Sequence, residues 1–257
     1  KATAKKVDGG YVLNGEKTWI SLANTAHHFL VFAVTDSKAG RNGLTAFIVE
    51  RGFKGLTTSP IKGKLGVRAG DTGSFAFSDM FVPNENRRGE EGEGLKIAYA
   101  SLDNGRYTVA AGAVGIIEAS LEASVKYGRQ RKPFAKPLVE HQLIQQKLGR
   151  MAADAEISRL LYFKAGWLKN TGQRNSKETS LSKWYATDAA FEAANQAVQI
   201  HGAYGYSNEF PVERFFRNSR GGMIYEGTSE IQALMQAAYV LGQKQDKPLR
   251  KMLPSYP

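Results

Sequence analysis

Cysteine is absent from the 257-residue sequence. This absence excludes disulfide bonds, thiolate nucleophiles, and zinc or iron–sulfur sites ligated by cysteine. It leaves the redox compartment open, because a protein without cysteine folds in oxidising and reducing surroundings alike. The four histidines, His27, His28, His141 and His201, show no HExxH spacing, and no serine lies in a GxSxG sequence. Zinc proteases and serine hydrolases of those types would therefore lack their usual residues.

The motifs of the common nucleotide-binding folds are missing as well. No GxGxxG sequence opens a helix after a strand, and no GxxxxGK[ST] loop occurs, so the Rossmann and P-loop folds have no support. No apolar run is long enough to cross a bilayer, and no signal-peptide pattern begins at Lys1. We therefore expect neither membrane insertion nor a metal site.

The sequence does contain enough apolar material for a core, with 42% hydrophobic residues including 13 Phe, 11 Tyr and 3 Trp. A chain of this length can hold one large domain or two. Lys and Arg number 35 against 24 Asp and Glu, which gives a net charge of +11 and suits polyanionic ligands. The basic residues are scattered, without the runs typical of nucleic-acid tails. Small polyphosphorylated ligands fit this distribution better than nucleic acid does.

Residues 1–85 have the pattern of β-strands. Asn14-Gly15 stands between the strand-like segments 11–13 and 17–20 and predicts a β-hairpin, since both residues tolerate the positive φ of a type I′ turn. Further strands are predicted at 29–35, 45–50 and 74–82. This many strands so close in sequence indicate an antiparallel sheet or a small barrel, which we assign to a partial β-domain spanning 1–85.

Residues 86–242 have the pattern of α-helices. Apolar residues recur at helical spacing from Ile144 to Ala155, and alanines recur in the same way from Ala186 to Ala197, so each run marks one buried stripe. Pro133 and Pro137 separate two long helices, and two shorter helices follow at about Pro211 and Thr228. Long helices with short links predict a four-helix bundle, followed by a loose polar tail at 243–257. The predicted fold class is therefore α+β.

Glu226 is the most informative carboxylate in the sequence. It precedes Gly227 just before a predicted helix, within the apolar stretch that contains Ile224 and Tyr225. Burial without a cationic partner raises the pKa of a carboxyl group and makes it a better base near neutral pH. A solvated loop residue or a helix cap is the usual role of a lone glutamate, and these residues alone leave both interpretations open.

Six segments, taken in order, resemble the sequence motifs of the acyl-CoA dehydrogenase family. The sharpest is the string IYEGTSEIQ at 224–232, and the others are GYVLNGEKTWIS at 10–21, LGVRAGDT at 65–72, LDNGR at 102–106, RKPF at 131–134 and AVQIHGAYGY at 197–206. The resemblance runs from about Asp8 to Leu241. It covers the later half of that family's middle β-domain and its helical C-terminal domain, and no segment resembles the family's helical N-terminal domain.

The resemblance implies that FAD is the cofactor. Trp19 and Ser21, the latter at a position where the family usually has Thr, would lie along the flavin. Arg131 would reach the FAD pyrophosphate across a subunit interface, with its fork of donors suited to that task. The other residues that the resemblance assigns to FAD are Phe134, His141, Gln142, Gln199, Gly202, Ala203, Thr228 and Glu230. Without the resemblance, Trp19 could equally be a half-buried strand aromatic and Arg131 a solvated charge.

Two alanines depart from the family's pattern. Ala135 stands where the family has the glycine of RxxFGK, and Ala203 stands where it has the second glycine of HGG. Each adds a methyl group at a place where the family's backbone approaches the cofactor, so the backbone contacts there are expected to change slightly.

For the substrate, the resemblance implies that Asp103, Arg106 and Gly227 face the acyl-CoA. An exposed helix ion pair is the alternative for Asp103 and Arg106. Some family members carry the catalytic glutamate immediately before this arginine, but Gly105 occupies that position here and cannot serve. The resemblance therefore implies that Glu226 is the base, and that a glutamate placed at 105 would partly replace it in a Glu226→Gln background.

The implied reaction is α,β-dehydrogenation of an acyl-CoA thioester to a trans-2-enoyl-CoA, as in fatty acid β-oxidation. Glu226 would take the α-proton and flavin N5 the β-hydride, and electrons would pass to an electron-transfer flavoprotein. The resemblance further implies a homotetramer, located in the cytoplasm of a bacterium or in the mitochondrial matrix of a eukaryote. An acyl-CoA oxidase that uses oxygen, or a DNA-binding protein on the same fold, is the alternative.

Overall fold

The computed structural model describes residues 2–245, which form two compact units divided between Ser101 and Leu102. We call 2–101 the strand unit and 102–245 the helical unit. The combination of a sheet with separate helices confirms the predicted α+β class. Most of the predicted tail, 246–257, lies outside the described residues.

The strand unit is one open, seven-stranded sheet in the order β5-β6-β2-β1-β3-β4-β7. The prediction of a sheet is confirmed, but the sheet is not closed into a barrel. It is also mixed rather than purely antiparallel, because β1 and β3 pair in parallel at Thr3 and Val34. The strands are β1 (Thr3–Val7), β2 (Gly10–Ser21), β3 (His28–Val34), β4 (Leu44–Glu50), β5 (Leu56–Pro60), β6 (Thr72–Pro83) and β7 (Arg87–Arg88).

The hairpin predicted at Asn14-Gly15 is wrong. These residues lie inside β2, and the chain instead turns between β1 and β2, where Gly9 has φ +75°. The Asn14 side chain is used across the sheet: its Nδ2 donates to Asp79 Oδ1 (3.0 Å), and its Oδ1 accepts from the Asp79 N–H (2.9 Å). Gly15 lies at a bulge in the β2–β6 register. The local turn preference is therefore overridden by pairing with a distant strand.

The core of the strand unit consists of alternate residues of the sheet. Tyr11 packs edge-on against Phe47 with ring centroids 4.9 Å apart, and Phe29 packs against Phe75 at 4.6 Å. All four side chains are buried, as the two-residue period of a strand requires when one face is covered. Tyr11 and Leu13 of β2 belong to this core, whereas the C-terminal end of β2 is exposed.

The helical unit contains five α-helices among the described residues, one for each predicted helical segment. They are α1 (Gly94–Gln130, which begins in the strand unit), α2 (Gln142–Asn170), α3 (Ser176–His201), α4 (Val212–Gly222) and α5 (Ser229–Val240). The break at the two prolines and the short helices after Pro211 and Thr228 are confirmed. Helix α3 is central and packs against α2, α4 and α5, because its many alanines allow close approach.

Helix α1 is long and apolar enough to cross a membrane when judged by length and composition, with an 18-residue window of mean hydropathy 1.4. The expectation that no segment reaches this limit is therefore wrong. A core helix meets the same criterion, and α1 contributes Ala110, Ala113 and Ile117 to the core of the helical unit. Its apolar face is thus used in packing within the bundle.

Candidate active site

The candidate site is built around the turn between α4 and α5. Glu226 has φ +57° and Gly227 has φ +93°, so two consecutive residues lie in the left-handed region. For a residue with a side chain this conformation is uncommon, and such strain concentrates at functional positions. The turn is closed by Thr228, whose Oγ1 accepts from the Ile231 N–H (3.4 Å) as the N-cap of α5. Glu226 is therefore not the helix cap.

Three donors from three helices hold the two carbonyl groups of this turn. Arg106 of α1 donates from Nε to the Glu226 carbonyl (3.2 Å), and Lys183 of α3 donates from Nζ to the Gly227 carbonyl (2.7 Å). Gln232 of α5 donates from Nε2 to both carbonyls, each at 3.1 Å. All three side chains are buried. The direction in which Glu226 points is thus fixed by charged and amide donors rather than by the loop alone.

The Glu226 carboxylate lies in a partly buried position. Within residues 2–245, its Oε2 is buried and has no hydrogen-bond partner. Burial raises the pKa of this carboxyl group above its ordinary value, against the opposing effect of the Arg106 and Lys183 cations. A carboxylate with a raised pKa and a free oxygen has the properties of a general base.

The predicted substrate residues lie beside this carboxylate. Arg106 and Asp103 form an ion pair of 3.5 Å, and Ser176 Oγ donates to the other Asp103 oxygen (2.6 Å). With only 7% of its side chain exposed, Arg106 is not part of a surface ion pair. Gly105 faces the Glu226 carboxylate so closely that a side chain there would collide with it.

Four of the predicted cofactor residues follow α1. Arg131 is exposed just after the helix ends, and Phe134 is 92% exposed with φ +52°. The Phe134 ring centroid lies 6.4 Å from that of His141, whose Nε2 is buried and has no partner among the described residues. Gln142 is the first residue of α2. In this group the exposed Phe134 ring lies beside His141, whose Nε2 makes no hydrogen bond among the described residues.

Three more of the predicted FAD residues lie at or just after the C-terminal end of α3. Gln199, Gly202 and Ala203 are all exposed. Gly202 has φ +61°, and there is open space around the position that a Cβ would take. Ala203 is not among the described residues with positive φ, so the alanine at this position costs no backbone strain.

The last predicted cofactor residues lie in both units. Trp19 and Ser21 are exposed at the end of β2, where the register with β6 shifts, and Trp19 is 66% exposed with φ +60°. The interpretation of Trp19 as a half-buried strand aromatic is therefore wrong. In the helical unit, Thr228 caps α5, and the exposed Glu230 has its pKa lowered by a hydrogen bond with the Thr228 side chain.

Two further residues of the site, Lys183 and Gln232, were not predicted from the sequence. Both side chains are fully buried, and both bind the turn that carries Glu226. For Lys183 a signal was available, because it lies three residues before Ala186 and seven before Ala190, on the face of α3 that forms the alanine stripe. A lysine on a buried helical face indicates a specific polar contact.

The sequence matches known protein families over most of its length. The family model "Acyl-CoA dehydrogenase, middle domain" matches residues 1–80, and "Acyl-CoA dehydrogenase, C-terminal domain" matches residues 92–241. An acyl-CoA dehydrogenase of Bacillus subtilis (strain 168) is 44% identical over 94% of this chain and 64% of its own length. The mitochondrial short-chain specific acyl-CoA dehydrogenase of Mus musculus is 43% identical over 93% of this chain and 58% of its own.

Solved structures also match this chain over most of its length. Butyryl-CoA dehydrogenase from Megasphaera elsdenii matches with a TM-score of 0.92 and 42% identity, covering 94% of this chain and 63% of that one. A structure described as the electron transferring flavoprotein of Acidaminococcus fermentans matches with a TM-score of 0.92 and 39% identity, over 94% and 63% of the two chains. The chain thus spans about three fifths of the length of these relatives.

Proposed function

The chain belongs to the acyl-CoA dehydrogenase family, and from this membership we propose that the protein dehydrogenates an acyl-CoA thioester to a trans-2-enoyl-CoA, with Glu226 as the base. The observation that carries the proposal is the turn at Glu226. Arg106, Lys183 and Gln232 bind the backbone carbonyls of this turn, which holds a carboxylate with a raised pKa on strained backbone. Removal of the weakly acidic α-proton of a thioester needs such a fixed base.

The contacts of Arg106 and Gly105 with Glu226 support the roles proposed for these residues. Glu226 accepts the α-proton on its carboxylate. Arg106 fixes the carbonyl of Glu226, while Gly105 leaves the space that the carboxylate occupies. The backbone N–H of Glu226 is assigned to the thioester carbonyl, where negative charge develops as the proton leaves. Gly227, with φ +93°, lets the chain pass beside the acyl thioester.

FAD is the proposed cofactor, and when bound it would accept the β-hydride. The assigned residues fit an aromatic, anionic group. Trp19 and Phe134 expose large rings on strained backbone, and the His141 Nε2 beside Phe134 is buried and has no partner within 2–245. Trp19 and Ser21 are assigned to the flavin, and Thr228 and Glu230 to the FAD of their own subunit. The residues assigned to the FAD of a neighbouring subunit are Arg131, Phe134, His141, Gln142, Gln199, Gly202 and Ala203.

The proposed partners follow from this arrangement. Because one FAD would take residues from two subunits, we expect a homotetramer in which flavin binding and assembly are coupled. Light scattering on the flavin-loaded protein tests this, and an active flavin-loaded monomer would contradict it. An electron-transfer flavoprotein is the proposed electron acceptor, and the match to the structure described by that name supports it. The relatives are bacterial and mitochondrial, which supports a location in the cytoplasm or the mitochondrial matrix.

The names of the relatives, short-chain specific and butyryl-CoA dehydrogenase, favour a short acyl chain as substrate. A panel of saturated acyl-CoA esters of increasing length, offered to the intact protein, would define this preference. Oxygen consumption in the same assays separates an oxidase from a dehydrogenase. The buried donors around Glu226 favour catalysis over a DNA-binding role.

The test of the proposal is the bleaching of the flavin by a saturated acyl-CoA in the absence of oxygen. Glu226→Gln keeps the size of the side chain but cannot accept a proton, so bleaching should slow by a factor on the order of 10²–10⁴ or more. Glu209→Gln, a change at an exposed glutamate of the loop before α4, is the matched control and should bleach like wild type. Bleaching of Glu226→Gln at the wild-type rate would show that Glu226 is not the base.

A further inference from the structure

Lys183 of α3 is a fully buried lysine that contacts the turn bearing the base. Its Nζ donates to the carbonyl of Gly227 at 2.7 Å, the residue directly after the base. We infer that Lys183 is a positioning residue for Glu226, holding the Glu226–Gly227 turn and placing a positive charge beside the carboxylate. This inference rests on the proposed function, because it assigns Lys183 to the same reaction.

The geometry gives Lys183 a specific task. The carbonyls of Glu226 and Gly227 are both held from the side of the bundle core, and their backbone lies in the left-handed region. Gln232 supplies a second donor to each carbonyl, but it belongs to α5, the helix that the turn itself leads into. Lys183 instead ties the turn to α3, the central helix of the unit. Its contact fixes the turn relative to the bundle.

The free-energy cost of burying the Lys183 amine indicates that it is present for a specific contact, the one with the Gly227 carbonyl. Burying an amine is expensive unless its charge is compensated, and an apolar side chain at this position would be cheaper for folding. The alanines at 186 and 190 show that this face of α3 is otherwise packed with small apolar groups. The only hydrogen bond described for the Lys183 amine within 2–245 goes to the carbonyl of Gly227.

The charges around Lys183 couple it to the base. Burial lowers the pKa of Lys183 to about 8, and Asp188, Glu226 and Glu230 oppose that effect while Arg106 adds to it. Arg106 belongs to α1, Asp188 to α3 itself, Glu226 to the turn and Glu230 to α5. Below about pH 8 the amine is charged, and its charge lowers the pKa of Glu226. Loss of the charge therefore raises the pKa of Glu226, so the base ionises at higher pH.

Two substitutions separate position from charge. Lys183→Met removes both the donor and the charge, whereas Lys183→Gln removes the charge and keeps an amide donor for the Gly227 carbonyl. Lys177→Met changes an exposed lysine on the same helix and serves as the control. Flavin bleaching by a saturated acyl-CoA is measured in the intact, flavin-loaded protein across the pH range, together with kcat and KM.

In Lys183→Met, kcat should fall by about tenfold to a hundredfold, the scale expected for a displaced catalytic group, with little change in KM. The acid limb of the pH–rate profile should move to higher pH in both Lys183 variants. It should stay in place in Lys177→Met. A lysine whose charge did not act on Glu226 would leave this limb in place, so the limb tests the charge. The difference in kcat between Lys183→Met and Lys183→Gln tests the hydrogen bond to the Gly227 carbonyl. If Lys183→Met does not fold, Lys183→Gln carries the same test.

The outcome that overturns the inference is an acid limb in the Lys183 variants that coincides with that of wild type. Glu226→Gln is measured in parallel to keep the two proposals separate. If Glu226→Gln is inactive and the limb does not move, only the role of Lys183 is wrong. If Glu226→Gln bleaches at the wild-type rate, the proposed function itself fails.

Discussion

A Cβ atom added to Gly105 would lie 2.5 Å from Oε2 of Glu226 and 2.7 Å from its Cδ. No real Cβ approaches a heavy atom so closely, so the carboxylate of Glu226 occupies space that exists only because residue 105 is glycine. Residue 105 is in the middle of a long helix, where glycine is unfavourable by about 0.5–1 kcal/mol relative to alanine. Glycine at 105 therefore lowers the stability of the helix but leaves space for the Glu226 carboxylate.

We predict that Gly105→Ala lowers activity without unfolding the protein. The atoms that a Cβ would meet are the far end of the flexible Glu226 side chain, so the carboxylate can turn away. A displaced base should slow flavin bleaching by about a hundredfold. Gly112→Ala in the same helix, where a Cβ meets nothing within 4 Å, should keep full activity and raise stability. Equal bleaching rates in Gly105→Ala and wild type would refute this account of Gly105.

We predict that a glutamate at 105 replaces the base better when residue 226 is shortened. Rescue of Glu226→Gln by Gly105→Glu is hindered, because glutamine has the size of glutamate and must first turn away from the new Cβ. Gly105→Glu combined with Glu226→Gly should therefore bleach the flavin faster than Gly105→Glu combined with Glu226→Gln. The single variant Glu226→Gly, expected to be inactive, is the control. Equal rescue in both backgrounds would show that the steric conflict is unimportant.

We predict that Glu226→Gln is more stable than wild type at neutral pH. Burial raises the pKa of Glu226 above its ordinary 4.5, so folding favours the protonated form. The stability that this group contributes is fully present below about 4.5 and is lost as the pH rises through the folded-state pKa. Thermal unfolding is measured from acid to neutral pH. The melting temperatures of the two proteins should converge in acid, and Glu226→Gln should have the higher melting temperature at neutral pH. A difference in melting temperature between the two proteins that does not change with pH would contradict the raised pKa of Glu226.

We predict that Ala135→Gly stabilises the helical unit. Ala135 has φ +65°, a conformation that costs a residue with a side chain about 1–2 kcal/mol. Glycine loses about 0.4–1 kcal/mol of this gain through the greater freedom of the unfolded chain, which leaves a net increase of roughly 0.5–1 kcal/mol. Ala203→Gly is the matched control, because Ala203 has no positive φ, and it should be destabilising. Denaturant unfolding of the two variants checks both signs, and a destabilised Ala135→Gly would show that the strain at 135 is compensated elsewhere.

Elements governed by local patterns were predicted well. The long helices, their interruption at Pro133 and Pro137, and the capped helix after Thr228 depend on residues within a few positions of one another. The turn at Asn14-Gly15 also looked local, but it was decided by Asp79 on another strand. The preference of Asn-Gly for a turn is worth only about 1 kcal/mol, which is less than two hydrogen bonds and the pairing of β2 with β6 contribute together.

The family, the α+β class, the candidate base Glu226 and the exclusion of Gly105 from that role were all evident from the amino-acid sequence alone. The surroundings of the base depend instead on the tertiary structure. Arg106 and Glu226 are 120 residues apart in sequence, and neither the space left by Gly105 nor the contact from Lys183 has a local signature around 226. Hydrophobic periodicity and capping act along one segment, whereas the position and pKa of a buried carboxylate depend on side chains that packing brings from other helices.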